Sequence, residues 1–89
     1  MRLHLTEAAA EKLSACRLTE KELSDMLRDR EEQRLYVLSE ETGHRFCHQA
    51  LGYITCWAEY ALDGAGGYTV YDVYCHRLRL RETDEKEET

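Results

Sequence analysis

The chain has 89 residues, enough for one small domain and too few for two separate cores. Hydrophobic residues make up 43% and charged residues 34% of it, as in soluble globular proteins. No apolar run approaches the roughly 18 residues that a membrane helix needs, so the sequence excludes a membrane span. The net charge of -6 argues against non-specific nucleic-acid binding, because neutralising phosphates requires a basic surface.

The N-terminal part of the sequence predicts a short strand and a first helix. Residues 1–5 alternate polar and apolar side chains, and Thr6 follows as a candidate N-cap. The apolar face of the helix consists of Ala9, Leu13 and Cys16. This spacing favours Cys16 as a small core residue over a metal ligand.

A second helix has a clearer signature. Thr19 and Glu22 match a capping box, and the helical pattern should fade near Glu31. Its apolar stripe consists of Leu23, Met26 and Leu27. We expect this stripe to pack on the largest apolar face of the sheet that follows.

The remainder of the chain predicts β-structure. Residues 35–38 are β-prone, and residues 44–52 are most simply a strand that pairs back on them and leads to a bend at Gly52, although a helix stays open there. The β-rich runs 53–62 and 68–80 are joined by five residues that suit a hairpin loop. The predicted fold class is therefore α+β, with two N-terminal helices packed on one face of a three- to four-stranded antiparallel sheet.

Domain organisation and compartment follow from the ends of the sequence. Residues 1–81 predict a single α+β domain, whereas residues 82–89 hold five acids and no apolar residue and are expected to be disordered. The first residues resemble no signal peptide, so we expect a cytoplasmic protein. The four cysteines are then expected as free thiols.

The hairpin register separates two faces of the sheet. If Leu62 pairs with Tyr68 and the pairing is uninterrupted, Cys56 lies opposite Tyr74 and Trp57 opposite Val73. The predicted core face consists of Ile54, Cys56, Ala58, Tyr60, Leu62, Tyr68, Val70, Tyr74, Leu78 and Leu80. Asp72 falls on it, most simply as a satisfied core polar group.

The other face combines aromatic side chains with arginines, which are the residue types that dominate binding hot spots. The candidate binding residues are Tyr53, Trp57, Tyr71, Val73, Arg77 and Arg79. Two alternatives stay open. The aromatic rings could merely stack on one another and on arginine stems, or another element could cover this face as a second core layer.

Thiol and imidazole side chains raise the question of a metal site, because they are the preferred ligands of zinc and iron. The candidates are His44, Cys47, His48, Cys56, Cys75 and His76. In an extended strand, His44 and His48 would be about 13 Å apart, too far to share one ion. We therefore expect no metal or other cofactor, with zinc or iron as the alternative, and no catalytic residue is predicted.

The element order, with the opening sequence Met1-Arg-Leu-His-Leu-Thr-Glu-Ala-Ala-Ala-Glu-Lys-Leu13, resembles the RelE/ParE-like superfamily of small α+β domains. The likeness covers most of the chain in layout. It implies an RNA-cleaving, ribosome-dependent activity in which a tyrosine, here Tyr71 or Tyr74, acts with basic residues on the sheet. The basic residues at comparable positions are Arg77, Arg79 and Arg81.

Three functional hypotheses result. The first is a non-enzymatic interaction module, either a homodimer or an accessory subunit of a larger enzyme, that binds a protein through the aromatic and arginine face. The second is a metal-binding or redox-associated protein that uses the cysteines and histidines. The third is an RNA-cleaving toxin of the RelE kind. Neither a membrane nor a nucleic-acid partner is expected under the first two.

Overall fold

A computed structural model describes residues 2–77. The elements are β1 (Leu3–Leu5), α1 (Glu7–Cys16), α2 (Glu20–Gln33), β2 (Val37–Leu38), β3 (Arg45–Leu51), β4 (Ile54–Leu62) and β5 (Tyr68–Arg77). The fold is α+β, as the sequence predicts. The expectations for Leu78, Arg79, Leu80 and Arg81, the acidic segment 82–89 and the boundary before it lie outside the described residues.

The five strands form one mixed sheet in the order β1-β5-β4-β3-β2. β2 to β5 pair antiparallel, but β1 runs parallel to β5, with Leu3 opposite Tyr68 and Leu5 opposite Val70. The prediction of a three- to four-stranded antiparallel sheet was therefore wrong in strand count and in the direction of one strand. β3 does pair with β2 and ends at the bend at Gly52, which has a φ of +69°.

Both helices begin at threonine caps, as the sequence predicts. The Thr6 hydroxyl accepts a hydrogen bond from the backbone N–H of Ala9 at 3.1 Å, and Thr19 and Glu22 form a complete capping box. Each cap satisfies backbone donors that the first helical turn leaves without a partner. Because β1 ends immediately before Thr6, the first cap also fixes the point at which the chain leaves the sheet.

The core lies between the helices and one face of the sheet. It combines the stripe of α2 with residues of α1 and of β3 to β5: Ala9, Leu13, Leu23, Met26, Leu27, Cys47, Cys56, Ala58, Tyr60, Val70 and Val73. The α2 stripe, Cys56 and Val70 thus belong to one buried cluster, in agreement with the predicted core. Ile54, also expected there, is only partly buried.

A β-bulge in β5 divides the hairpin register into two parts. Leu62 pairs with Tyr68 and Tyr60 with Val70, as predicted, but Glu59 then pairs with Asp72, so Tyr71 is an extra residue. An extra residue reverses the alternation of every position that follows it.

Several face predictions were wrong for this reason. Val73 is buried in the core with 1% of its surface exposed, whereas Tyr74, predicted to be in the core, is 58% exposed. Asp72 is not a core group either, because its side chain is 44% exposed and pairs with Lys12 at 2.9 Å. Cys56 lies opposite Cys75, and Ile54 lies opposite Arg77.

A polar cluster ties α2 to the sheet. The fully buried Tyr60 donates its hydroxyl proton to Oε2 of Glu31 at 2.7 Å, and the Arg45 guanidinium donates to Oε1 of the same carboxylate. Arg45 also lies over the Tyr36 ring, 4.6 Å from its centroid. The Glu31 carboxylate thus holds partners from both β3 and β4. Burial, together with the neighbouring carboxylate, raises the pKa of Tyr60 above its usual range.

The cysteines divide into one disulfide and two buried thiols. Cys16 at the end of α1 is bonded to Cys75 on β5, with Cα atoms 5.8 Å apart, while Cys47 and Cys56 are free and buried. The expectation of four free thiols was therefore wrong. It rested on the expectation of a cytoplasmic protein, and the positions of Cys16 and Cys75 on facing elements could not be read from their sequence separation of 59.

Candidate functional site

The sheet face that points away from both helices is the candidate site, and we call it the open face. Strand pairing arranges its side chains in rows that run across the sheet. One row holds Val37, Phe46, Glu59 and Asp72, the next holds His48, Trp57 and Tyr74, and the third holds Ala50, Thr55 and His76. Because side chains alternate along each strand, all of them lie on the other face of the sheet from the core residues Cys47, Ala58 and Val73.

Large apolar side chains remain accessible on the open face. The exposed fraction is 69% for Val37, 41% for Phe46, 45% for Trp57 and 58% for Tyr74. Single exposed apolar residues are ordinary on protein surfaces, whereas a contiguous group of them commonly marks a binding site. These four belong to two adjacent rows and so form such a group.

Trp57 is held in place by a neighbour on β3. Its indole stacks on the His48 imidazole with ring centroids 4.3 Å apart and planes inclined by 22°. The two residues are direct cross-strand partners, which fixes both rings over the middle of the sheet. Because both rings are already held in place, binding a partner would cost little further side-chain entropy at Trp57 and His48.

A second stacked pair lies at the bulge. The ring of His44 stacks on that of Tyr71, with centroids 4.1 Å apart and planes inclined by 9°. Nδ1 of His44 is 2.7 Å from Oε2 of Glu59. The bulge makes this possible, because it places Tyr71 next to Asp72 on the same side of the strand.

The carboxylates of the open face have cationic or imidazole partners. Glu59 is paired with His44, and Asp72 is paired with Lys12 from α1. Among the described side chains in the three rows there is no lysine or arginine. The face therefore combines aromatic surface with little unpaired charge, in contrast to the net charge of -6 of the whole chain.

A shallow hollow of about 80 Å³ opens on this face. It is lined by Phe46, Trp57, Ala58, Glu59, Asp72 and Tyr74. Ligand pockets for small molecules usually have about 300 Å³ or more. The hollow suits one inserted side chain rather than a whole cofactor.

The structure brings together only part of the predicted binding set. Trp57 and Tyr71 lie on the open face, and Tyr53 is exposed in the turn that precedes β4. Val73 lies in the core and Arg77 follows the same alternation to the helix side, so neither lies on the face where it was predicted. Arg79 is outside the described residues.

Among the open-face residues that the sequence did not predict are His44, Phe46, His48 and Tyr74. The first three lie in or beside β3, whose register with β4 has no hairpin signal beyond Gly52. Tyr74 was misplaced by the bulge. A signal for the bulge exists in hindsight, because Val73 and Cys75 continue an apolar alternation that is out of phase with Tyr68 and Val70.

The metal-ligand candidates are dispersed. His44 and His48 stack on different aromatic rings, Cys47 and Cys56 are buried, Cys75 is in the disulfide and His76 is exposed. Within residues 2–77, no three His, Cys, Asp or Glu side chains converge as a metal site would require.

Two of the residues that the RelE/ParE resemblance implicates, Tyr74 and Arg77, line one cleft beside the end of α1. Tyr71 lies on the open face, where it stacks on His44. Arg79 and Arg81 are outside the described residues.

No match identifies the chain. Neither a family model, nor a curated protein, nor a solved structure matches it. In the part of the chain that the structure describes, no helix has both the length and the apolar character needed to cross a membrane.

Proposed function

We propose that the protein is a non-enzymatic interaction module whose open face binds a second copy of the same chain. The observation that carries this proposal is the position of Trp57: a large aromatic side chain, 45% exposed, lies at the middle of a sheet face that neither helix covers. Tryptophan is the residue type most enriched at the centres of binding interfaces, where its burial contributes the largest share of affinity.

The flanking residues extend this anchor into a patch. Phe46 and Val37 lie toward the β2 edge and Tyr74 toward the β5 edge, so accessible apolar surface spans four strands. The hollow beside Trp57 gives a partner side chain a place to insert. Aromatic anchors next to a small pocket are typical of interface centres.

The charge distribution of the open face permits a second copy as the partner. Two chains that each carry a net charge of -6 repel one another over most of their surface. On the open face, however, Glu59 and Asp72 are each paired within the same chain. Two such faces can therefore meet without placing unpaired carboxylates against each other, which would cost several kcal/mol.

Sedimentation of the purified protein over a wide concentration series tests the proposal. We expect a reversible monomer–dimer equilibrium, and we expect Trp57→Ser to weaken it by about 30-fold or more, which corresponds to a hot spot of about 2 kcal/mol. Trp57 is the single tryptophan of the chain, so its fluorescence should shift to shorter wavelength as the dimer forms.

Leu62→Ser is the matched control for the loss of an exposed apolar side chain. Leu62 is 48% exposed, close to the value for Trp57, but it lies at the far end of β4 and outside the three rows. This variant should dimerise like the parent. A parent that stays monomeric at the highest concentration, or a Trp57→Ser variant that dimerises equally well, would contradict the proposal.

A further inference from the structure

The disulfide lies at a cleft between the C-terminal end of α1 and the second half of β5. The cleft has a volume of about 340 Å³ and is lined by Lys12, Ala15, Cys16, Ile54, Val73, Tyr74, Cys75 and Arg77. Cys16 and Cys75 are both half-buried, and both line this cavity, which is large enough for a small molecule. A disulfide of purely structural function would more commonly be enclosed by packing.

The charges at this cleft are cationic. Lys12 and Arg77 line it, and among the residues that the structure describes its lining contains no carboxylate. Lys12 is partly neutralised by Asp72 at 2.9 Å, whereas no described carboxylate pairs with Arg77. The cleft therefore offers one paired and one available cation beside the sulfur pair, an environment that favours an anionic ligand and a thiolate.

The other two cysteines lack this chemistry. Burial raises the pKa of the Cys47 thiol to about 12 and that of the Cys56 thiol to about 11. Near neutral pH both remain protonated and enclosed, and a protonated thiol is a poor nucleophile. Accessible sulfur chemistry in the described part of the chain is thus confined to Cys16 and Cys75.

We propose that this cleft is a thiol-exchange site that takes anionic low-molecular-weight thiols, a class represented by the tripeptide glutathione. Carboxylates of the incoming thiol would be bound by Arg77 and Lys12, while its sulfur approaches the Cys16–Cys75 bond. The cleft shares Tyr74 with the open face, but thiol exchange at the disulfide does not require the dimer proposed there.

The exchange balances as two successive displacements. The thiolate of the small thiol attacks one sulfur of the protein disulfide, the S–S bond breaks, and its electron pair remains on the other cysteine as a thiolate near Arg77. A second molecule of the same thiol attacks the mixed disulfide and releases the remaining protein thiolate together with the oxidised small-molecule disulfide. Two electrons pass to the protein, and its two thiolates take up protons from water according to pH.

The rate at which small thiols open the Cys16–Cys75 disulfide tests whether the cleft prefers anionic thiols. The parent protein is treated at equal thiolate concentration with glutathione or with uncharged N-acetylcysteinamide, whose thiol is close to that of glutathione in pKa and so in intrinsic nucleophilicity. Reduced chains are counted by alkylation and intact mass measurement. We expect glutathione to react faster by about threefold, the size of effect that one exposed ion pair provides. Arg77→Gln should abolish the difference, and added salt should reduce it because salt screens exposed charges.

Lys21→Gln is the matched control, since it removes one exposed positive charge on α2 without touching the cleft. It should leave the preference for glutathione unchanged. Equal rates for the two thiols in the parent, or a preference that survives Arg77→Gln, would overturn the proposal. Four free thiols in protein purified in air without reductant would overturn it as well.

A second measurement identifies the reacting sulfur and does not depend on rates. Native Cys75→Ser protein, treated with oxidised glutathione, should acquire one adduct located on Cys16. Cys47 and Cys56 serve as internal controls and should stay unmodified. An adduct distributed over Cys47 and Cys56, or none on Cys16, would show that the cleft does not direct the exchange.

Discussion

The indole of Trp57 and the imidazole of His48 stack across β3 and β4, with their centroids 4.3 Å apart. One side of the indole is therefore covered by a neighbour, while almost half of the side chain stays accessible. Trp57 is thus ordered by a local contact and not by the core. This separates its contribution to stability from its contribution to binding, and the two can be measured on one variant.

The first prediction concerns that separation. Trp57→Ser should lower the free energy of unfolding by less than about 1 kcal/mol, the usual value of a cross-strand pair. Leu27→Ala, which truncates a fully buried side chain of α2, should cost about 2 to 5 kcal/mol. Urea denaturation under conditions that keep both proteins monomeric gives the comparison. A loss for Trp57→Ser as large as that for Leu27→Ala would identify Trp57 as a core residue.

The second prediction tests the bulge. Val73→Ser places a hydroxyl in the core and removes buried methyl groups, so it should cost about 2 to 4 kcal/mol. Tyr74→Ser changes an exposed side chain and should cost less than about 1 kcal/mol. Denaturation midpoints of the two neighbouring variants decide between the faces. The opposite order would mean that β5 continues without the extra residue Tyr71.

The limits of sequence reasoning are visible at this strand. The hairpin between β4 and β5 was predictable because a glycine-rich loop and two β-prone runs are adjacent in the chain, and the first three pairs follow the simple register. A bulge adds one residue but leaves no mark in the composition of the strand. The alternation of apolar side chains counted over the whole of β5 therefore mixes the pattern before Tyr71 with the opposite pattern after it. Tyr74 and Val73 exchanged faces as a result.

Long-range pairings were invisible for a different reason. β1 pairs with β5 across more than sixty positions, and β2 has only two residues, so neither leaves a local signal of its neighbour. The helices were predicted well because their caps, Thr6 and Thr19, act on the next few residues. The predicted face was consequently right for Trp57 and Tyr71, where the hairpin fixes it, and the predicted set lacked the residues of β3.

The third prediction concerns the polar cluster at Glu31. Glu31→Ala removes the acceptor of the buried Tyr60 hydroxyl and the partner of the Arg45 guanidinium at once. Because this leaves both groups unsatisfied in a largely buried place, we expect a loss of about 3 kcal/mol of stability. Glu32→Ala, next to it but exposed, should change stability by no more than about 0.5 kcal/mol. Equal denaturation midpoints for the two variants would contradict this.

The fourth prediction is a loss of stability at alkaline pH. The pKa of Cys47 is raised from 9.0 to about 12 and that of Cys56 to about 11, so in the folded protein both thiols keep their protons after the unfolded chain has lost them. Above about pH 9 the unfolded state binds fewer protons than the native state, and stability falls as pH rises.

Each thiol should contribute up to about 1.4 kcal/mol per pH unit in this range. Urea midpoints measured from pH 8 to about 11 should therefore decline less steeply in a Cys47→Ala, Cys56→Ala double variant than in the parent. The quantity compared is the slope of the urea midpoint against pH. The constant loss of stability from the missing buried side-chain atoms shifts the midpoints of the variant but not this slope. Parallel slopes would show that the two thiols titrate normally in the folded protein.

The fifth prediction concerns the contact between the hairpin loop and β1. A methyl group at Gly67 would lie 2.5 Å from the backbone oxygen of Arg2, the same oxygen that accepts a hydrogen bond from the N–H of Tyr68 at 2.9 Å. Gly67→Ala should therefore cost about 1 to 3 kcal/mol and speed amide exchange at Tyr68. Gly64→Asn is the control. Open space surrounds this position, and asparagine tolerates its left-handed φ of +82° better than most residues do. Unchanged exchange at Tyr68 in Gly67→Ala would contradict the prediction.

The bulge at Tyr71 also determines which change of length β5 can accept. Val70 and Cys75 both face the helices although five positions separate them, whereas an uninterrupted strand returns to the same face only after an even number of positions. Deleting Tyr71 would leave Val70 opposite Tyr60 and Asp72 opposite Glu59, so Cys75 would still face α1 and reach Cys16. Homologous chains that lack this one residue should therefore retain both cysteines and lose the ring that stacks on His44.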